Sequence, residues 1–362
     1  MRANAEWKAA FAVMAAVAGA GFASGRELVL FFAQIGWASW IGIAFASVVF
    51  GLLIGVISHY ARKTGASSFS GVYQRQLGNR SGDVIGILHA LLMALTAAVM
   101  LVSCGELGAL ALPVRHGFLR GVVIALILAL LINMRRLRAL PWLGVAVVAM
   151  GVLFYAALAI DVRPVRIYTR SETELSLYGS VGAAILLAVL YASLNAAVAG
   201  GVIVRFSLGS VQPARLATLS GGMLCAQLLC ANAAIARGGN ALLTQAMPTV
   251  VLAARWGVIG FWLSIIFMYI CAVSTLSSVI GALVAQMEDG GRQRRTAIMM
   301  LLTSFFLACA FGLSEVVGVG YPLLGWICAF AMAALACYYD RMEVRRRPMK
   351  ALMAGRDNHD EK

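Results

Sequence analysis

Charged residues are scarce in this 362-residue sequence, at 12% where soluble domains carry about a quarter. Acidic residues are scarcer still, with 15 Asp and Glu against 29 Lys and Arg. Hydrophobic residues make up 62% of the chain and the mean hydropathy is +0.88, which excludes a soluble domain. The apolar runs are about twice the ten residues of a barrel strand, so a membrane β-barrel is excluded as well. The composition predicts an all-α polytopic membrane protein.

The sequence has no CxxC pair and no histidine close to a cysteine. All seven cysteines lie in apolar segments, so they are interpreted as small packing residues rather than as disulfides or metal ligands. The net charge of +14 does not indicate nucleic acid, because in a membrane protein the position of each charge matters more than the sum. We therefore predict no catalytic cofactor and no nucleic-acid partner, and the lipid bilayer is the expected surrounding.

Ten apolar segments reach the length of about twenty residues that a membrane helix needs. They cover approximately residues 8–33, 36–58, 83–112, 117–134, 140–160, 178–205, 215–236, 254–286, 296–313 and 316–339. With a cytoplasmic N-terminus, most Lys and Arg residues fall on the cytoplasmic side, in agreement with the positive-inside rule. This pattern predicts a multi-pass protein of the bacterial cytoplasmic (inner) membrane with both termini in the cytoplasm.

The first segment is interrupted at its centre by the small residues Gly19, Ala20, Gly21, Ser24 and Gly25. Glycine lowers helix stability, and an unpaired backbone group in hydrocarbon is costly unless protein or water faces it. A plain membrane anchor would avoid this pattern. We therefore predict a broken helix that lines a site, and the alternative is close helix packing against small residues.

The stretch GAGFASGRE, residues 19–27, resembles the first-helix signature of the YkvI-type bacterial membrane proteins, which usually carry Gln where this chain has Arg26. Those proteins are distant relatives of the amino acid–polyamine–organocation (APC) superfamily, which shares the inverted-repeat fold of the bacterial leucine transporter (LeuT). The resemblance implies about ten helices in a 5+5 inverted repeat with broken helices 1 and 6. Only this stretch is specific, and the rest of the chain agrees in architecture.

The longest outside loop, residues 161–177, separates five segments from five. It divides one predicted transmembrane domain, residues 1–340, into halves of about 8–160 and 178–340. A basic cytoplasmic tail is predicted at 341–362.

In an inverted repeat, the helix that opens each half is the interrupted one. The sixth segment carries Tyr191, Ser193 and Asn195 at its centre, and Gly200 and Gly201 follow. We therefore predict a second break at this position in the chain.

Broken helices expose helix ends of opposite polarity inside the membrane, where they can hold a small solute or an ion. The predicted function is secondary active transport of a small organic solute by alternating access. Helix N-termini favour a carboxylate and hence an amino acid, whereas Glu27 favours an amine. The predicted substrate-binding residues are Gly19, Ala20, Gly21, Ser24, Glu27, Tyr191, Ser193 and Asn195.

The eighth segment crowds four hydroxyls into five positions, at Ser274, Thr275, Ser277 and Ser278. Hydroxyls in membrane helices commonly bond back to their own helix, but with free carbonyls they also suit sodium. The resemblance implies a sodium site between the first and eighth helices, and symport with sodium as the coupling ion. Its ligands would be the Ala15, Ala18 and Cys271 carbonyls with the Ser274 and Thr275 hydroxyls.

Glu27 and Glu106 are acidic residues within predicted spans, so each is a candidate for proton coupling or for recognition of a cationic solute. Pairing near the membrane boundary is the alternative for Glu106. Arg26 is predicted to close an outer gate with Glu315, at the start of the tenth segment.

Three other functions have partial support or remain compatible with the sequence: a protease, a channel and a sensor. Phe22-Ala23-Ser24-Gly25 comes close to the GxSG motif of rhomboid-type serine proteases, with His89 or His59 as the base, but the first Gly is missing. Channel filters usually arise from oligomeric rings of repeated loops, for which the sequence gives no sign. A sensory role is compatible with any fold. We predict that the protein is not an enzyme.

Overall fold

The computed structural model describes residues 3–112, 115–134, 139–161, 179–209, 211–239, 242–288, 306 and 322–337. The described chain is all-helical. The α-helices are α1 (Ala3–Val17), α2 (Ala20–Ser24), α3 (Arg26–Phe31), α4 (Ser39–Thr64), α5 (Phe69–Leu77), α6 (Asn79–Ala111), α7 (Gly117–Met134), α8 (Leu140–Asp161), α9 (Val181–Ser207), α10 (Pro213–Arg237), α11 (Pro248–Ala253), α12 (Gly257–Glu288) and α13 (Pro322–Cys337). Short 3-10 helices cover Ala33–Ala38 and Ala254–Trp256.

Seven helical stretches in the described part of the chain are long and apolar enough to cross a membrane. They correspond to the second to eighth predicted segments and show a multi-pass membrane protein. The first predicted segment is divided among α1, α2 and α3, and α13 covers part of the tenth. The ninth segment, the loop at 161–177 and the tail at 341–362 fall almost entirely outside the described residues. The count of ten and the inverted repeat therefore stay predictions.

The predicted break in the first span is confirmed. α1 ends at Val17, and Gly19 adopts an extended conformation (φ −79°, ψ −170°) immediately before α2. Gly25 then has φ +82°, a left-handed conformation that glycine adopts without the steric cost of a Cβ. The first span therefore consists of three short helices joined at two glycines.

The predicted break in the sixth span is wrong. α9 runs without interruption over 27 residues, from Val181 to Ser207. The Asn195 side-chain amide donates to the Tyr191 carbonyl one turn earlier, at 2.9 Å, so this polar group is satisfied within the helix. Gly200 and Gly201 allow close packing instead of a break, because a Cβ at residue 200 would lie 2.6 Å from the Phe69 ring.

α1 lies in the middle of the helices and packs against α8, α9, α10 and α12. The first span runs in the same direction as α8, since Phe11 of α1 meets Gly144 and Phe22 of α2 meets Tyr155. Gly144 lets the two backbones touch, because a Cβ there would overlap the Phe11 carbonyl oxygen. Such small residues let membrane helices approach closely. The fold thus surrounds the broken span with other helices.

Candidate functional site

The break at Gly19 lies between α6 and α12. A Cβ on Gly19 would be 3.2 Å from the Met100 sulfur of α6 and 3.3 Å from the Thr275 hydroxyl oxygen of α12. The backbone N–H of Ala20, which begins α2, donates to the Met100 Sδ at 3.3 Å. Sulfur is a weak acceptor, so this contact only partly replaces the hydrogen bond that the break removes.

Two of the four crowded hydroxyls of α12 reach across to the first span. Ser274 Oγ lies 2.9 Å from the carbonyl oxygen of Ala15 and 2.9 Å from that of Cys271, and its hydroxyl donates to them. Thr275 Oγ1 lies 3.3 Å from the Ala15 carbonyl oxygen. Ala18, at the start of the break, is buried. The Ser274 and Thr275 hydroxyls thus connect four of the five residues of the predicted ion site.

The other two hydroxyls of α12 bond within their own helix. Ser277 Oγ donates to the Val273 carbonyl at 2.6 Å, and Ser278 Oγ donates to the Ser274 carbonyl at 2.9 Å. This is the back-bonding usual for membrane serines. The group formed by Ala15, Cys271, Ser274 and Thr275 is uncharged and rich in oxygen, which suits a hard monovalent cation.

Glu27 folds back onto the break. It lies in the first turn of α3, with only 4% of its surface exposed, and its carboxylate packs against the Cα of Gly21. A Cβ on residue 21 would overlap that carboxylate. The structure therefore brings together two of the predicted substrate-binding residues, and Gly21 supplies the space that Glu27 occupies.

Ser24 and Arg26 make backbone contacts. Ser24 Oγ donates to the Gly21 carbonyl at 3.0 Å and accepts from the Arg26 N–H at 3.3 Å.

The His89 ring, a candidate protease base, is engaged elsewhere. Its Nε2 bonds to the Ala197 carbonyl at 3.0 Å, and the ring packs on Phe69. No histidine of the described chain contacts Ser24, so the nucleophile and base of a serine protease are not assembled.

The Arg26 guanidinium lies over the segment that precedes α11. Its Nη1 donates to the Leu243 carbonyl at 3.0 Å and to the Gln245 carbonyl at 3.4 Å. Glu315, the predicted gate partner, lies outside the described residues. Glu106 is half-buried near the end of α6.

Of the residues predicted from the sixth span, Tyr191 contacts the end of the first span. The Tyr191 ring packs edge-on against Phe31 and Phe32, with centroids 5.3 and 5.1 Å away. Ser193 and Asn195 are buried. Tyr191 therefore lies beside the end of α3, whereas the Glu27 carboxylate lies at Gly21.

Tyr155 of α8 is a central residue of the site that the sequence analysis did not single out. Its hydroxyl is 3.0 Å from the Phe22 and Ala23 carbonyls and 2.9 Å from Thr249 Oγ1 of α11. A carbonyl only accepts, so the Tyr155 proton points to the two carbonyls and Thr249 donates to Tyr155. The sequence feature that could have identified Tyr155 is that it carries the single hydroxyl group of the fifth span.

Comparison with known proteins bears on the family and the fold. No protein-family model matches the chain. The uncharacterized membrane protein YkvI of Bacillus subtilis (strain 168) is 23% identical over 340 residues, which cover 91% of this chain and 94% of YkvI. The crystal structure of MhsT in complex with L-phenylalanine matches 90% of this chain and 85% of its own chain, with a TM-score of 0.55 and 15% identity. The chain is thus similar to YkvI over most of its length, and it has the LeuT-like fold.

The similarity to YkvI extends well beyond the short stretch at residues 19–27, because it covers most of both chains. The similarity to MhsT shows the fold. The broken first span and the contact between Ala15 and Ser274 therefore lie within a LeuT-like fold.

Arg26→Gln should loosen the segment before α11. The guanidinium bonds to two carbonyls there, and a hydrogen bond from a charged group contributes about 1.5–3 kcal/mol. Leu252 of α11 is buried, so a Leu252→Cys reporter should react about tenfold faster with a maleimide once Arg26 is replaced. Labelling at residue 252 is measured by mass spectrometry.

The control for this experiment is Arg255→Gln, which removes an exposed arginine in the 3-10 helix after α11. It should leave the labelling rate unchanged. Equal labelling rates with and without Arg26 would show that the guanidinium does not hold this segment in place.

Proposed function

We propose that the protein is a secondary active transporter that moves a small organic solute, an amino acid or an amine, across the bacterial inner membrane by alternating access. The observation that carries the proposal is the break of the first span beside the hydroxyls of α12, with Ser274 and Thr275 bonded to Ala15. A helix broken inside the membrane is where transporters of this architecture bind solute and ion. MhsT, which has the same fold, holds L-phenylalanine.

The solute is proposed to bind at the break. Gly19, Ala20 and Gly21 supply backbone groups, and Ser24 and Glu27 lie on the adjoining turns. The opposite wall is proposed to be the buried face of α9, with Tyr191, Ser193 and Asn195.

Sodium is the proposed coupling ion, and protons through Glu27 are the second choice. The sodium ligands would be the carbonyls of Ala15, Ala18 and Cys271 and the hydroxyls of Ser274 and Thr275. The two hydroxyls already contact the Ala15 carbonyl, so a cation there would join α12 to the end of α1. Solute and ion then each favour the conformation in which the other binds, which is the thermodynamic basis of symport.

The test is solute binding to the purified protein in sodium and in potassium at matched ionic strength. Thermal shifts with amino acids, amines and organic acids identify a solute, because a ligand of the folded state raises the melting temperature. Sodium should tighten its binding by about 5- to 150-fold, the usual range of coupling between two sites. Ser274→Ala with Thr275→Ala should abolish this sodium effect.

Ser277→Ala with Ser278→Ala is the matched control, since these hydroxyls lie on the same helix but bond within it. It should keep the sodium effect. A sodium effect that survives the first pair of substitutions, or that both pairs remove equally, would contradict the proposed ion site. Solute binding that is the same in both salts would contradict sodium coupling.

A further inference from the structure

The Glu27 carboxylate occupies space inside the break that only a glycine at residue 21 leaves free. It is buried, and it lies against the Gly21 Cα at the start of α2. Any larger residue at position 21 would push the carboxylate out. The break is therefore shaped around an acidic side chain of the protein.

This carboxylate has no cation beside it in the described part of the chain. Glu27 makes no hydrogen bond or ion pair there, and the guanidinium of its neighbour Arg26 is engaged by the Leu243 and Gln245 carbonyls. Consecutive helical residues point in different directions, so Arg26 and Glu27 do not face each other. Acidic groups inside membrane proteins usually pair with a partner or mark a substrate pathway.

The anion-binding capacity of the break is correspondingly reduced. The N–H of Ala20, the first of α2, is directed at the Met100 sulfur. A solute carboxylate placed at Gly21 would also meet the Glu27 carboxylate, and like charges brought together in a site cost several kcal/mol. An ammonium group would instead meet an unpaired acceptor of opposite charge.

We infer that Glu27 binds the ammonium group of the solute, and that the substrates are organic amines without a carboxylate rather than amino acids. The inference rests on the proposed transport function and selects the substrate class for that site. Glu27 supplies the charge, and Gly21 supplies the space in which that charge and the ammonium meet.

The first test uses pairs of solutes that differ only by the carboxylate. Suitable pairs are phenethylamine with L-phenylalanine, isobutylamine with L-valine and cadaverine with L-lysine. Binding to the purified wild-type protein is measured by thermal shift and by isothermal titration calorimetry. At least one amine should bind, and its parent amino acid should bind at least about tenfold more weakly.

The second test replaces the charge while keeping the shape. Glu27→Gln should weaken binding of that amine by at least about 30-fold, as expected when one partner of a buried charge pair is removed. Glu6→Gln is the matched control, because Glu6 is also a buried carboxylate of the first span without a hydrogen-bond partner among the described residues. Glu6 lies in the first turn of α1, about 18 Å from the break along the helix axis. Its replacement should therefore leave the affinity for the amine unchanged.

The outcomes separate the inference from the transport function. If an amino acid binds as tightly as its amine, or if Glu27→Gln and Glu6→Gln change affinity equally, Glu27 is not the cation anchor, while solute transport stands. If folded wild-type protein binds none of the amines but binds amino acids or organic acids, the inference falls and the site takes anions. If it binds no solute of any class, both the inference and the proposed function are overturned.

Discussion

The Tyr155→Phe variant should melt about 3 °C below the wild-type protein and lose most of its solute binding. The hydroxyl joins two carbonyls of the first span to Thr249, and all of these groups are buried. Leaving a buried polar group unpaired costs about 1–3 kcal/mol, and roughly 2 kcal/mol corresponds to such a shift in a protein of this size. The measurement is thermal unfolding of the detergent-purified protein, followed by solute titration.

A matched control is Tyr269→Phe. The Tyr269 hydroxyl likewise donates to a backbone carbonyl, but this carbonyl belongs to Gly121 of α7 and not to the first span. It should lower stability less and leave solute binding intact. Thr249→Val and the double variant complete a mutant cycle, in which we expect an interaction energy of about 0.5–3 kcal/mol between Tyr155 and Thr249. Equal effects of Tyr155→Phe and Tyr269→Phe on solute binding would show that Tyr155 does not position the break.

The Gly144→Val variant should fail to yield folded protein. A side chain at residue 144 would overlap the Phe11 carbonyl, which belongs to the backbone of α1 and cannot rotate away. The two helices would have to separate along their common length, and overpacking of this kind costs about 1–3 kcal/mol or more. Size-exclusion chromatography in detergent and thermal unfolding measure the loss.

Gly222 of α10 provides the control, because a Cβ there meets nothing within 4 Å. Gly222→Val should give a monodisperse protein with a melting temperature close to that of the wild type. If Gly144→Val is recovered in the same yield and with the same melting temperature, the close contact between α1 and α8 does not support the fold.

The sequence predicted those parts of the structure that depend on local chemistry. Long apolar runs located the second to eighth spans, because the width of the bilayer fixes their length. Gly19 and Gly25 indicated the break in the first span, since glycine adopts conformations that other residues avoid. The four hydroxyls on α12 were interpreted as a candidate sodium site, which stays a prediction. Periodicity alone could not show that Ser274 and Thr275 reach across to the first span while Ser277 and Ser278 bond within their helix.

The parts that were missed depend on tertiary packing. The same small and polar residue types that break the first span leave α9 intact, because Asn195 bonds to its own helix and Gly200 packs against Phe69. Tyr155 could not be recognised from its position in the sequence, since its partners lie 133, 132 and 94 residues away. Glu27 was identified as acidic and within a span, but its contact with Gly21 requires the chain to turn at Gly25.

The uninterrupted α9 is stiffer than the broken first span that it faces. Its 27 residues form a rod about 40 Å long, and Gly42 of α4 packs against its backbone at Ala184. Such a rod passes a displacement at one end directly to the other. The first span has two hinge glycines. Gly19 lets α1 tilt relative to α2, and Gly25 lets α3 tilt relative to α2. We therefore expect the two ends of the first span to move independently, whereas α9 and the helices packed on it move as one rigid body.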